Sequence, residues 1–321
     1  MSKPHKVLLL GPTGYTGNSI LLGLLNDRDS YQVSVLVRPS SASKPAVQKI
    51  KDELGVPVLI VDIINASMDE LVKVLTGFDI FISAIDQRSQ EAQLRLVQAS
   101  KAAGVKRFVP CAWITVVPPG VMDARDSKQE TYLEIFKAHL PYTIIDVGFW
   151  HQLSFPRVPS GRVDYACFVS PSLHGNGGTS TMMTDLRDIG PWVALILKDE
   201  RTLNRYVCTY SDVLTENEIF ALTEEMSGEK VERTYISAEE NAASRAALEA
   251  ALKADPNNEQ AHLKYDFAQY DYSKYFRGDN TPAYAKYLGY LDATELYPDF
   301  RPRKFKEFMV ELLEGKIARV S

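Results

Sequence analysis

The chain has 321 residues, of which 45% are hydrophobic and 24% are charged, and its formal net charge is −5. These values exclude global disorder and argue against a general nucleic-acid binder. The three cysteines are scattered and the five histidines lack metal-ligand spacing. We therefore expect a cytoplasmic protein with no disulfide framework, metal site or membrane span.

Short apolar runs alternate with helical patterns through the first half of the chain. The predicted strands are residues 7–10, 33–37, 58–61, 79–85, 107–110 and 142–147. The spacing of apolar residues predicts helices at 18–25 and 90–103. Such alternation predicts an α/β fold built on a doubly wound parallel sheet.

After residue 150 the alternation loosens, and loops rich in glycine and proline separate the helical patterns. Helices are predicted at residues 188–197, 239–253 and 303–313. Eight tyrosines between residues 258 and 297 fit either the wall of an aromatic pocket or plain packing. We expect residues 151–321 to form a smaller substrate-binding region, interleaved with a first domain at 1–150.

A glycine-rich loop lies directly between the first predicted strand and the first predicted helix. Gly11 allows a sharp turn, Gly14 lets the backbone approach a pyrophosphate, and Gly17 lets the helix pack closely on the strand. The helix N-terminus offers free N–H groups to phosphate. The predicted binding loop consists of Gly11, Thr13, Gly14, Tyr15, Thr16 and Gly17. An ordinary strand–helix turn is the alternative.

The second predicted strand ends at Arg38, where an acidic residue would bind the ribose 2′-hydroxyl of NAD. Arg38 is followed by Ser40, Ser41 and Lys44, and a cation with hydroxyls suits a 2′-phosphate. We therefore predict NADP(H) as cofactor, bound by Arg38 with support from Lys44 in a Rossmann domain at residues 1–150. A solvated arginine is the alternative.

A Ser-x-x-Glu pattern at Ser127 and Glu130 predicts a helix capped by Ser127. Lys128 would then occupy the first helical position, where the helix dipole disfavours a cation and so favours proton donation. A surface lysine is the alternative interpretation.

Six segments together resemble the isoflavone reductase-like group. This group of atypical short-chain dehydrogenases includes phenylcoumaran benzylic ether and pinoresinol reductases, and the broader NmrA-like set is similar too. The segments are residues 11–17, 35–38, 103–108, 140–143, 199–204 and 295–299. The last two are the most specific, because a general nucleotide-binding fold has no reason to carry them.

The resemblance implies a role for Lys128, which lies thirteen residues before Pro141, at the position of the catalytic lysine of the group. Lys128 would protonate the substrate oxygen while NADPH delivers hydride to the adjacent carbon. The substrate would be an aromatic, phenol-derived molecule of lignan or isoflavonoid type. Tyr270 and Lys274 show the Tyr-x-x-x-Lys spacing of typical short-chain dehydrogenases, but we interpret that match as chance, since it lies far along the chain from the predicted cofactor loop.

Two segments depart from the plant pattern. Plant members usually have Pro-Ser-Glu-Phe-Gly where this chain has residues 110–114, and Asn-x-Phe where it has 148–150. We therefore predict a reshaped aromatic substrate pocket that includes Trp113, Phe149 and Trp150. The alternative is that both tryptophans fill the core.

Two further functions stay open. One is an NmrA-like redox-sensing regulator that binds NADP without catalysis, and the other is a carbonyl or imine reductase of secondary metabolism. Lys128 favours the reductase of an aromatic substrate, because a sensor would not require it. A homodimer is compatible with the sequence.

Overall fold

Five short apolar segments form a parallel sheet at the centre of the protein. These strands are β1 (His5–Leu10), β2 (Tyr31–Val37), β3 (Val58–Ile60), β4 (Ile80–Ser83) and β5 (Arg107–Val109). The computed structural model, which describes residues 3–85 and 89–320, places them in the order β3-β2-β1-β4-β5. β2 therefore lies on one side of β1, and the chain crosses over to place β4 on the other side. Sheets of this kind bind ligands beyond the carboxyl ends of the strands where the order reverses.

Three further strands extend this sheet beyond β5. β6 (Thr143–Asp146) follows β5 through a single bridge between Phe108 and Tyr142. β10 (Arg205–Cys208) pairs in parallel with β6, and β13 (Leu291–Asp292) pairs in parallel with β10. The division of the chain at residue 150 stays a prediction.

Helices cover both faces of the sheet, because successive side chains of β1 are apolar and point to opposite faces. The helices on these two faces are α1 (Tyr15–Leu25), α2 (Pro45–Asp52), α3 (Met68–Leu75), α4 (Gln90–Ala103), α5 (Asp123–Lys137) and α6 (Ile189–Leu197). Val7 and Leu9 of β1 pack in one core with α1 and α6, whereas Leu8 and Leu10 pack in another with α3, α4 and α5. The predicted α/β fold with a doubly wound parallel sheet is confirmed.

The remaining elements form a smaller layer beside the carboxyl end of β6. Its strands are β7 (Phe149–Trp150), β8 (Leu173–His174), β9 (Ser180–Thr184), β11 (Asp212–Thr215) and β12 (Tyr235–Ile236). Its helices are α7 (Glu216–Ser227), α8 (Ala238–Ala254), α9 (Glu259–Asp271) and α12 (Phe305–Leu313). The short helices α10 (Pro282–Tyr287) and α11 (Ala293–Leu296) pack instead against β13. A turn of π-helix at Tyr272–Arg277 continues α9. Among the described residues, no helix is both long and apolar enough to cross a membrane.

Candidate active site

The glycine loop joins β1 to α1 at the point where the strand order reverses. Gly11 has a φ of +80°, and a Cβ there would lie 2.3 Å from the carbonyl oxygen of Ala84. A Cβ at Gly17 would lie 2.0 Å from the carbonyl oxygen of Gly11. Both positions therefore require glycine for the turn and for the packing of the helix on the strand.

Gly14 is different, because its surroundings are open. The nearest heavy atom to a Cβ at Gly14 would be the Gly11 carbonyl oxygen, 3.8 Å away. Gly14 is also the N-cap of α1, and the first N–H groups of an α-helix have no carbonyl acceptor within the helix. Open space beside a helix N-terminus suits the close approach of a phosphate.

A cavity of about 250 Å³ lies against this loop. Gly11, Thr13 and Gly14 line one side of it, and Arg38 and Ser41 line another. Arg38 is exposed, which suits a cation at the rim of the cavity. The structure thus brings together the predicted pyrophosphate loop and the predicted 2′-phosphate residue.

Lys44 does not belong to the described lining of this cavity. It lies exposed at the N-cap of α2, beyond Ser41. The lining instead includes Asp62 at the end of β3, which the sequence analysis missed. Hydrogen bonds donated by Asn65 and Ile64 hold the pKa of Asp62 below its ordinary value, so this side chain is a carboxylate at neutral pH. An acidic residue directly after a predicted strand is the signal that could have indicated it.

The helix that carries Lys128 begins earlier than the sequence predicts. Ser127 is not an N-cap: α5 begins at Asp123 after Met122, and the Ser127 hydroxyl donates to the Ala124 carbonyl within the helix. The acidic residues Asp123 and Asp126 occupy the first turn, where the helix dipole favours them. Lys128 therefore lies in the second turn, and the argument from its position at the helix N-terminus is wrong.

Lys128 is nevertheless buried, with only 4% of its surface exposed, so the interpretation as a surface lysine is also wrong. Its Nζ donates to the carbonyl oxygen of Cys111 at 2.9 Å. The Cys111 thiol in turn donates to the carbonyl oxygen of Ile85, which lines the cavity beside the glycine loop. The buried lysine is thus connected through one residue to the wall of the candidate cofactor site.

Asp146, at the carboxyl end of β6, is a buried carboxyl group that sequence reasoning missed. Tyr290 donates its phenolic O–H to Asp146 Oδ2 at 2.6 Å. Burial raises the pKa of Asp146 to about 6, although Tyr290, Arg125 and Lys128 act against this rise. Its negative charge offsets the two buried cations on α5. An aspartate in an otherwise apolar strand is the sequence signal that could have indicated it.

Trp113 packs into the core. It is 7% exposed, and its indole N–H donates to the carbonyl oxygen of Ser83 at 2.8 Å. Its rings pack with Ile145 and Val147, and its φ of +49° marks a tight turn after β5. This geometry favours the core-filling interpretation, and substrate binding by Trp113 stays a prediction.

Phe149 and Trp150 point in different directions, as neighbouring residues of a strand do. The Trp150 ring contacts the ring of Tyr15, at the start of α1, with 6.4 Å between centroids. The Phe149 ring contacts that of Tyr270 at 5.6 Å and lines a second cavity of about 190 Å³. Trp150 thus lies against the glycine loop, whereas its neighbour Phe149 lies against the second cavity.

Lys274 is a buried residue in the lining of the second cavity. It is 2% exposed, and its Nζ is 3.5 Å from the centroid of the Phe149 ring. Tyr270 and Lys274 therefore contact Phe149, a predicted substrate-binding residue, although they are far from it along the chain. The π-helical turn folds back onto β7 and so brings both residues to Phe149. Neither residue belongs to the described lining of the cavity at the glycine loop, and the interpretation of the spacing as chance stays a prediction.

A model of the NmrA-like family matches residues 3–309 of this sequence. The chain belongs to the NmrA-like family. The resemblance inferred from the sequence is confirmed. An asnovolin J 5′,6′-dehydrogenase of Aspergillus novofumigatus is 38% identical over 96% of this chain and 95% of that protein. An isoflavone reductase homolog of Zea mays is 28% identical over 97% of this chain and 99% of that protein.

Solved structures of NmrA-like fold show the same architecture. The leucoanthocyanidin reductase–NADPH complex from Vitis vinifera has a TM-score of 0.79 at 21% identity, covering 96% of this chain and 99% of that chain. AtPrR2 with NADP+ and (+)-pinoresinol has a TM-score of 0.76 at 22% identity, covering 99% and 100%. The named relatives are oxidoreductases, so the predicted enzyme class is confirmed, and the two solved structures hold NADPH or NADP+, the cofactor predicted from the sequence.

Proposed function

We propose that this NmrA-like protein is an NADP(H)-dependent oxidoreductase that reduces an aromatic, phenol-derived small molecule. The observation that carries the proposal is the connection of the cavity at the glycine loop to the buried Lys128 through Ile85 and Cys111. A cytoplasmic location, supported by three unpaired buried cysteines, is part of the proposal.

The residues around the first cavity fit the cofactor. The open space at Gly14 leaves room for a pyrophosphate, and the N–H groups of Tyr15 and Thr16 begin a helix whose dipole favours negative charge. Arg38, with the hydroxyl of Ser41, would bind the 2′-phosphate at the rim. These contacts hold the cofactor and orient it, with Trp150 packed against Tyr15 beside the loop.

NADPH, when bound, supplies the hydride for a reduction of this kind. Lys128 would hold a proton at Nζ and donate it to the substrate oxygen. Its hydrogen bond to the Cys111 carbonyl fixes the direction of the side chain, and its burial excludes competing water. The nearby carboxyl of Asp146 offsets the charge of Lys128 in an environment where an unpaired cation would be costly.

A second candidate is the reverse reaction, the oxidation of a substrate with NADP+. The relative that is 38% identical carries the name of a dehydrogenase, whereas the plant relatives near 25–28% identity carry the names of reductases and synthases. The same residues would serve, with Lys128 accepting the proton that it would otherwise donate. The non-catalytic regulator has no comparable support, since a buried lysine is costly to keep without a role.

The cofactor part of the proposal is tested by titrating the protein with NADPH and with NADH. Arg38→Ala removes the cation at the rim, so we expect NADPH affinity to fall by about tenfold or more while NADH affinity stays unchanged. Lys49→Ala is the matched control, because Lys49 is an exposed cation on α2 outside the described lining of the cavity. Equal weakening of both cofactors would contradict the role of Arg38.

The catalytic part is tested by following the absorbance of the cofactor in both directions. NADPH is supplied with a panel of lignans, isoflavones and quinone-type compounds, and NADP+ with their reduced forms. Consumption of NADPH with any member supports the reductase, and consumption of NADP+ alone supports the dehydrogenase. Tight cofactor binding without turnover across an extended panel, in either direction, would favour the regulator.

A further inference from the structure

The second cavity contains a cluster of four buried ionisable side chains, which we call the Lys274 cluster. Its members are His174 of β8, Glu216 of α7, Asp271 of α9 and Lys274 of the π-helical turn. Val169, which is 42% exposed, also lines this cavity. Phe149, Phe267 and Ile236 contribute apolar side chains to the lining.

The hydrogen bonds of His174 occupy both of its ring nitrogens. Nδ1 lies 2.8 Å from Glu216 Oε1, and Nε2 lies 3.4 Å from Asp271 Oδ2. Burial opposes a charge on the imidazole, but the hydrogen bonds with Asp271 and Glu216 outweigh it and raise the pKa of His174 to about 9. His174 is therefore an imidazolium at neutral pH, fixed between two carboxylates and stacked on the ring of Tyr275.

Lys274 has one N–H group that no oxygen accepts within the described part of the chain. Its Nζ lies 3.3 Å from Asp271 Oδ1 and 3.3 Å from the Tyr275 hydroxyl, and the ring of Phe149 faces it on another side. A lysine ammonium has three N–H groups, so two are used and one remains. The cation–π contact with the Phe149 ring offsets part of the cost of burying this N–H, and an oxygen of a ligand would offset more.

The charges of the Lys274 cluster balance without a ligand. With both bases protonated, His174 and Lys274 carry two positive charges against the two carboxylates of Glu216 and Asp271. Burial lowers the pKa of Lys274, and Asp271 and Glu216 act against this fall. Asp271 is half-buried, and the other three side chains are buried. A carboxylate or phosphate entering the cavity would bring an uncompensated charge into a poorly solvated site. A neutral oxygen would accept the remaining N–H and leave the balance intact.

The backbone holds Lys274 in this place by an uncommon device. The π-helical turn ends at Gly278, which has a φ of +72°. Asp279 fixes the turn, because its Oδ2 accepts from the Ser273 hydroxyl at 3.0 Å and from Arg277 Nε at 2.8 Å. Single π-helical turns occur frequently at functional sites.

We propose that the Lys274 cluster is the polar end of the substrate pocket, where Lys274 binds a neutral carbonyl or hydroxyl oxygen of a ring-bearing substrate. This inference rests on the proposed function, because Phe149 of the pocket lining is the neighbour in β7 of Trp150, whose ring contacts Tyr15 of the glycine loop. Lys274 is a specificity-determining residue in this arrangement, and Lys128 remains the proton donor.

The test measures the binding of three compounds that share one two-ring skeleton: tetralin, α-tetralone and tetralin carboxylate. The protein is used with and without saturating NADP+, and affinities are measured by calorimetry. We expect the ketone to bind about tenfold more tightly than the hydrocarbon, the usual effect of one buried hydrogen bond, and the carboxylate to bind most weakly. Equal affinities for ketone and hydrocarbon, or tightest binding of the carboxylate, would overturn the proposal.

Lys274→Met keeps most of the side-chain length and removes the donor. We expect this variant to lose the preference for the ketone while its affinity for tetralin and for NADPH is unchanged. Lys264→Met is the matched control on the exposed side of α9 and should keep the preference. If Lys274→Met does not fold, the order of the wild-type protein's affinities for the three compounds still tests the proposal. A failure of NADPH binding, by contrast, would count against the proposed function and not against this pocket.

Discussion

The glycines of the β1–α1 loop differ in what surrounds them, and this difference separates folding from cofactor binding. A methyl group at Gly14 meets nothing closer than 3.8 Å, whereas one at Gly17 lies 2.0 Å from a backbone oxygen. We expect Gly14→Ala to cost at most about 1 kcal/mol of stability, the usual effect at an N-cap, and to weaken NADPH binding by filling the space for the phosphate. Calorimetric titration together with urea denaturation measures both effects.

Gly17→Ala should behave in the opposite way. The backbone of Gly11 cannot move without displacing β1, so we expect a loss of about 3 kcal/mol in the free energy of unfolding or a failure to fold. If Gly14→Ala proved as destabilising as Gly17→Ala, the space at Gly14 would not be the binding space for a phosphate.

Lys128 is the residue whose removal should affect turnover alone. Lys128→Met keeps the apolar stem in its buried position and removes the proton, so we expect kcat to fall by about 10²–10⁴-fold, the usual contribution of a general acid. NADPH affinity should stay within about twofold, because Lys128 reaches the cofactor cavity only through Cys111 and Ile85.

The control for Lys128→Met is Lys137→Met on the same helix. The Lys137 side chain is 73% exposed and makes only a long ion pair with Glu134, at 3.9 Å. Steady-state kinetics on a substrate found in the panel compares the two variants. Undiminished turnover in Lys128→Met would remove Lys128 from the mechanism and leave the cofactor site untouched.

At the scale of elements, α1 and α6 touch through two glycines. A Cβ at Gly190 would lie 1.8 Å from the carbonyl oxygen of Ser19, and one at Gly23 would lie 2.2 Å from the backbone of Gly190. Gly190→Ala must push the two helices apart, so we expect it to destabilise the protein by about 2–3 kcal/mol and to weaken NADPH binding because α1 carries the loop.

The matched control for this contact is Leu22→Ala on α1. Leu22 is 44% exposed, so its truncation should change stability by less than about 1 kcal/mol. Urea denaturation of both variants decides the matter. A small effect of Gly190→Ala would show that the helices can separate at little cost.

The elements near the glycine loop could be predicted because local signals and tertiary structure agree there. The apolar run before Gly11 can only be a buried strand, and its central position follows from burial on both faces. The start of α5 could not be predicted from Ser127 alone, because Asp123 and Asp126 provide an earlier acidic first turn. A local capping pattern within a longer helix carries no information about which turn comes first.

Lys274 shows the limit of sequence spacing more clearly. Its approach to Phe149 depends on the π-helical turn and on the return of the chain to β7 across more than a hundred residues. No local pattern determines that contact, so chance was the natural interpretation of the Tyr-x-x-x-Lys spacing. Asp146 is similar, because only the packing of Tyr290 against β6 shows its partner.

At the scale of the whole molecule, buried ion pairs as well as apolar packing hold the elements of the second half of the chain together. Phe155, Phe220 and Phe308 form an apolar core between α7 and α12. His174 and its two carboxylates add a polar connection between β8, α7 and α9. The stability of this half should therefore depend on pH in a way that an apolar core alone would not produce.

The direction of that dependence follows from the raised pKa of His174, about 9 against an ordinary 6.5. The folded protein holds the proton more tightly than the unfolded chain, so the stabilisation is complete below pH 6.5 and is lost as pH rises through 9. The loss is on the order of 3 kcal/mol.

His174→Gln should therefore be much less stable than the wild type near pH 6.5 and close to it above pH 9. Urea denaturation across this range measures the difference, and the exposed His262→Gln controls for loss of a histidine. A difference that stays constant with pH would mean that His174 is neutral in the folded protein, and the charge balance of the Lys274 cluster would then have to be revised.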